Sequence, residues 1–118
     1  MNRGVVRQVK TCTYISGPPC AGKSTVALAV SRLVPRIEHV RGDEYWVTHP
    51  GMSFEDRVSA TNKDILSAIG NVASPDVLCE WVPCRSPFVA QLHAICVSMG
   101  RQFLHVILTA STPVLRNR

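Results

Sequence analysis

The chain has 118 residues, a formal net charge of +5, 46% hydrophobic and 18% charged residues. That length buries one core, and no apolar run approaches the roughly 20 residues that cross a bilayer, so a single domain over 1–118 without a membrane segment is expected. The basic residues are scattered, with no dense run and no interleaved aromatics, which argues against nucleic acid as the main partner.

Residues 1–10 are basic but contain no apolar signal core, so they read as a run into the first strand and not as a secretion leader. The first strand is expected over 11–16, an apolar run rich in Thr, Tyr and Ile. It leads into Gly17, Pro18, Pro19, Cys20, Ala21, Gly22, Lys23 and Ser24, which fit GxxxxGK[ST], with Thr25 next in line. In such a P-loop the glycines let the backbone turn and approach phosphates, whose charge meets successive N–H groups and a helix N-terminus. Lys23 would reach the β- and γ-phosphates of a nucleoside triphosphate, ATP or GTP, and Ser24 would ligate Mg²⁺. The thiol of Cys20 beside Lys23 reads either as oxidation-prone or as a small residue tolerated at a variable position.

A helix follows over 24–34, with Val26, Ala27 and Val30 at helical spacing and Pro35 as its stop. Residues 37–41 form a short second strand closed by Gly42 and Asp43. A second helix is expected over 53–69, capped by Ser53 with Asp56 three residues on and ended by Gly70. A third strand runs over 77–82, a third helix over 87–99 and a fourth strand over 102–108. Thr112 and Pro113 then suit the start of another helix, and the chain reads as C-terminally incomplete. Strands alternating with helices predict an α/β domain, three α/β/α layers around a parallel sheet.

Five cysteines, Cys12, Cys20, Cys79, Cys84 and Cys96, are an odd number without a CxxC pair, which suits a reducing cytoplasm better than disulfides or zinc. His39, His49, His93 and His105 show no ligand spacing and are expected to be structural or exposed. Glu80, inside an apolar strand, is costly unless paired; it either faces Mg²⁺ or the acceptor, or reaches solvent at the strand end. A regulatory GTPase would need DxxG after the third strand and NKxD later; Asn62 and Lys63 are followed by Ile65 where the aspartate belongs.

The order of these elements around the P-loop, with Gly42 and Asp43 after the second strand, resembles the small-molecule P-loop kinases: gluconate, shikimate and adenylylsulfate kinases and chloramphenicol phosphotransferase. The resemblance implies a P-loop NTPase fold with strand order 2-3-1-4, lacking the fifth strand and the lid. It implies transfer of the ATP γ-phosphoryl group to a hydroxyl of a small acceptor, with Lys23 and Asp43 catalytic. Gly51 to Arg57 resembles the GxSxxDR segment of adenylylsulfate kinases, which makes Arg57 an anchor for an anionic acceptor group. Arg85, in the loop after the third strand, is either a further substrate contact or a solvated charge. Adenylylsulfate kinases carry an arginine where this chain has Trp46, so the acceptor stays open. The alternatives are a catalytically inactive nucleotide-binding remnant of such a kinase and a polynucleotide kinase-like protein; the oligomeric state is not legible.

Overall fold

The computed structural model describes residues 9–17, 22–34, 36–82 and 86–109. Eight elements follow one another: β1 (Lys10–Ser16), α1 (Lys23–Leu33), β2 (Ile37–Arg41), α2 (Gly42–Trp46), α3 (Phe54–Gly70), β3 (Asp76–Glu80), α4 (Ser86–Ser98) and β4 (Arg101–Ile107). The four strands form one parallel sheet in the order β2-β3-β1-β4, as expected. Pro18, Pro19, Cys20, Ala21, Cys84, Arg85, Thr112 and Pro113 lie outside the described residues.

Alternation along the strands sends side chains to two faces, and each face is covered by helix. Cys12 and Tyr14 of β1 join Val77 and Cys79 of β3 under Ile65 and Ile69 of α3 and Phe88, Leu92 and Cys96 of α4. On the opposite face Ile15 and Leu78 pack against Ala27 of α1, with Val26 and Val30 beside them. These are the three layers of an α/β/α domain. Cys12, Cys79 and Cys96 are buried free thiols, and a hydrogen bond with Cys96, then burial, pushes the Cys12 thiol up from its usual range.

Arg101 fastens the end of the sheet remote from the P-loop. Only 4% exposed, it donates to the carbonyls of Thr11 and Pro75 through Nη1 and of Val72 and Ser74 through Nη2.

Two local differences from the sequence reading bear on the site. Gly42 and Asp43 do not merely close β2; they open α2, a five-residue helix too short to show a hydrophobic period. The third strand stops at Glu80 instead of residue 82. Trp81 and Val82 leave the ladder yet stay tied to β1, because Trp81 N–H donates to the Ile15 carbonyl (3.2 Å) and the Tyr14 hydroxyl donates to the Val82 carbonyl (2.6 Å). α3 begins as expected, with Asp56 N–H on the Ser53 hydroxyl at 3.2 Å.

Candidate functional site

In a parallel sheet all strands point the same way, so their C-terminal ends form one rim, where open α/β sheets bind ligands. Glu80 ends β3 level with Ile15 of β1 and Arg41 of β2. Above that rim lies a cleft of about 290 Å³ lined by Gly22, Lys23, Ser24, Thr25, Arg41, Asp43, Glu80, Trp81 and Val82.

The loop side is set by Gly22 and α1. Gly22 caps the helix with φ +87° and ψ +24°, a left-handed conformation that glycine adopts without strain. Among the described residues no side chain caps the helix there, and its first turn has no acidic residue of its own, so its positive end faces the cleft. Lys23, nearly buried, folds back to donate from Nζ to the Gly17 carbonyl at 2.6 Å. Behind it, Ser16 shares a 2.8 Å hydrogen bond with His105 Nε2, and the His105 ring stacks on Tyr14, fixing the end of β1 just before the loop. Burial lowers the His105 pKa from its ordinary range.

The centre of the cleft is Glu80. It is 5% exposed, and a buried carboxylate at such a position needs partners. It has them: Oε2 accepts from the Ser24 hydroxyl at 2.8 Å, Oε1 lies 3.0 Å from His39 Nε2, and Arg41 Nε lies 3.8 Å from Oε1. The glutamate thus turns into the cleft and not out to solvent. His39 and Arg41 escaped the sequence reading because they reach Glu80 through strand register; the only signal was two basic residues two apart on β2, hence on one face.

The remaining wall is α2 and the indole of Trp81. A Cβ on Gly42 would lie 2.0 Å from Trp81 Cε3, so only glycine lets the ring close over the start of α2, which holds exposed Asp43 at the cleft. Trp81 is held from behind by Nε1 donating to Asn62 Oδ1 at 2.9 Å. Arg57 lies elsewhere: it stacks on Trp46 at 4.3 Å from the ring centroid and donates from Nε to the Trp46 carbonyl at 2.9 Å. The fold therefore gathers Gly22, Lys23, Ser24, Thr25, Asp43 and Glu80 in one cleft, while Arg57 braces the far end of α2.

An uncapped helix N-terminus, a buried lysine and a hydroxyl joined to a carboxylate fit a phosphate chain with a hard divalent cation. Among the described residues no group of three or more His, Cys, Asp or Glu could hold a metal by itself. A P-loop cation needs no such cage, since phosphate oxygens and water fill most of its positions.

No family model matches the chain, and no curated protein sequence matches it. Solved structures do. The APS kinase of Mycobacterium tuberculosis superposes with a TM-score of 0.66 at 21% identity, covering 89% of this chain and 78% of that one. A candidate kinase from Chloroflexus aurantiacus gives 0.69 at 16% identity, covering 95% and 66%. A gluconokinase from Sinorhizobium meliloti gives 0.61 at 21% identity, covering 94% of this chain and 64% of that one. With its strand order and the cleft at the β1–α1 junction, the chain has the fold of the P-loop kinases.

Proposed function

We propose that the chain binds a nucleoside triphosphate with Mg²⁺ and passes the γ-phosphoryl group to a hydroxyl of a small acceptor. The observation that carries this reading is the shared wall of one cleft: the α1 N-terminus with Lys23, the Ser24–Glu80 pair, and Asp43 across from them. Each has a distinct part. The N-terminus of α1 and Lys23 hold the phosphates. Ser24 would ligate the cation, and Glu80 would hold a water of its shell while fixing the serine hydroxyl. When bound, the cation supplies charge neutralisation between phosphate oxygens.

Asp43 orients the acceptor hydroxyl and takes its proton as the acceptor oxygen bonds to the γ-phosphorus. The bond from that phosphorus to the β–γ bridging oxygen breaks, and the electron pair leaves with the nucleoside diphosphate. Arg57 supports this chemistry indirectly, by holding Trp46 and with it the helix that presents Asp43.

Calorimetric titration of Mg·ATP into the 118-residue chain tests the reading. Binding that Lys23→Ala abolishes in a folded protein is expected. Equal binding by both would sink the P-loop assignment, and binding without transfer to any hydroxylated acceptor would leave a nucleotide-binding protein and not a kinase.

A further inference from the structure

Arg41 is the charged residue lining the cleft for which the roles above leave no use. Its side chain is 44% exposed and ends β2 on the far side of β3 from the P-loop strand. The nearest acid, Glu80, does not account for it. The two carboxylate oxygens already have Ser24 at 2.8 Å and His39 at 3.0 Å, whereas Arg41 Nε stands off at 3.8 Å, beyond the 2.7–2.9 Å of a charge-assisted hydrogen bond. The guanidinium's donors are therefore not consumed by Glu80.

Position gives it a use. Strands in a sheet lie about 4.8 Å apart, so β1 and β2 are separated by about 10 Å with β3 between them. Lys23 enters the cleft beside β1 and Arg41 enters from β2, which brackets the rim above Glu80 with one cation on each side. Among the described lining residues, these two cations balance Asp43 and Glu80 before any ligand arrives. A triphosphate would add negative charge there, and with its β- and γ-phosphates at Lys23 and its cation at Ser24, the terminal group would be the part turned toward Glu80 and β2.

We propose that Arg41 is a catalytic residue that grips the γ-phosphoryl group from the side opposite Lys23. This rests on the triphosphate-binding reading of the same cleft. A planar guanidinium offers two parallel N–H donors to phosphoryl oxygens, which a lysine cannot match in geometry. Because the contact is to the γ-group, it distinguishes triphosphate from diphosphate.

The test is calorimetric titration of Mg·ATP and Mg·ADP into the wild-type chain, Arg41→Gln and Arg41→Lys, with circular dichroism confirming that each is folded. The wild type is expected to favour Mg·ATP. Arg41→Gln is expected to weaken Mg·ATP roughly 10- to 100-fold, the worth of a charge-assisted hydrogen bond, with Mg·ADP unchanged. Arg41→Lys should recover part of the loss. Equal weakening of both nucleotides, no change in either, or a wild type that does not distinguish them would overturn the role of Arg41 while leaving the nucleotide site standing. A folded wild type that binds neither nucleotide removes the triphosphate reading and this inference together.

Discussion

The hydroxyl of Ser24, the second residue of α1, donates a 2.8 Å hydrogen bond to Glu80 at the end of β3. Two segments 56 residues apart thus meet where a phosphate-bound cation would sit. Groups that orient a metal's ligands tune its affinity, typically 10- to 100-fold. Glu80→Gln keeps the size and removes the charge, so Mg²⁺-dependent binding of ATP is expected to weaken by about that much, while metal-free binding stays the same. His39→Leu, which strips the 3.0 Å partner from the other oxygen, should shift it in the same direction by less, and His39→Asn should restore it. Titrating ATP at graded Mg²⁺ concentrations measures both, and an unaltered Mg²⁺ dependence in Glu80→Gln would remove Glu80 from the cation's surroundings.

The closure of Trp81 over Gly42 yields a second prediction. A methyl group at residue 42 would penetrate the indole, and Trp81 cannot retreat without breaking its bond to Asn62. Overpacking of this kind costs about 3 kcal/mol, so Gly42→Ala should lower Tm by roughly 10 °C. Adding Trp81→Leu makes room, and the double variant should be less destabilised than the sum of the two single ones. Simple additivity in thermal unfolding would mean that the two residues do not share the strain.

Much of this site can be read along the chain, because its loop half is local. GxxxxGK[ST] between an apolar run and an amphipathic stretch identifies the N-terminus of α1, and Asp43 follows the next short strand. The other half is made across strands. That His39 and Arg41 stand beside Glu80 depends on the register of β2 against β3, joined through a connection of more than 30 residues, and no local pattern reports it. α2 was hidden for a different reason: five residues beginning with glycine look like a stop. The sequence motif makes Arg57 an acceptor anchor and gives no sign of its stacking on an indole, since only the fold brings α3 against Trp46.

His105 makes stability depend on pH. Burial holds its imidazole below the ordinary 6.5, so between the native and unfolded pKa values the unfolded chain binds the proton and the native chain does not. The contribution to stability is complete above the unfolded value and is lost as the pH falls below it toward the native one. Tm should therefore rise as the pH climbs toward the ordinary histidine value of 6.5, and His105→Gln should flatten part of that rise. Parallel Tm profiles for the two proteins would show that another group carries it.

Arg101 is the last case. Its four hydrogen bonds run to carbonyls of two separate segments: Thr11 of β1, then Val72 with Ser74 and Pro75 ahead of β3. No carboxylate answers the charge in any of these contacts, so the carbonyl dipoles carry it; of the four, the Pro75 carbonyl also accepts from Thr11 N–H at 2.9 Å. Arg101→Met fills the space but removes all four hydrogen bonds, a loss of about 3 kcal/mol in urea unfolding. Arg101→Lys should recover only part, because a single ammonium cannot reach carbonyls that the guanidinium divides between its two terminal nitrogens. The cleft proposed for the nucleotide lies at the opposite end of the strands, so Mg·ATP affinity should be unchanged in Arg101→Met at a temperature where it remains folded. An affinity that fell together with stability would show that the two ends of the sheet are coupled.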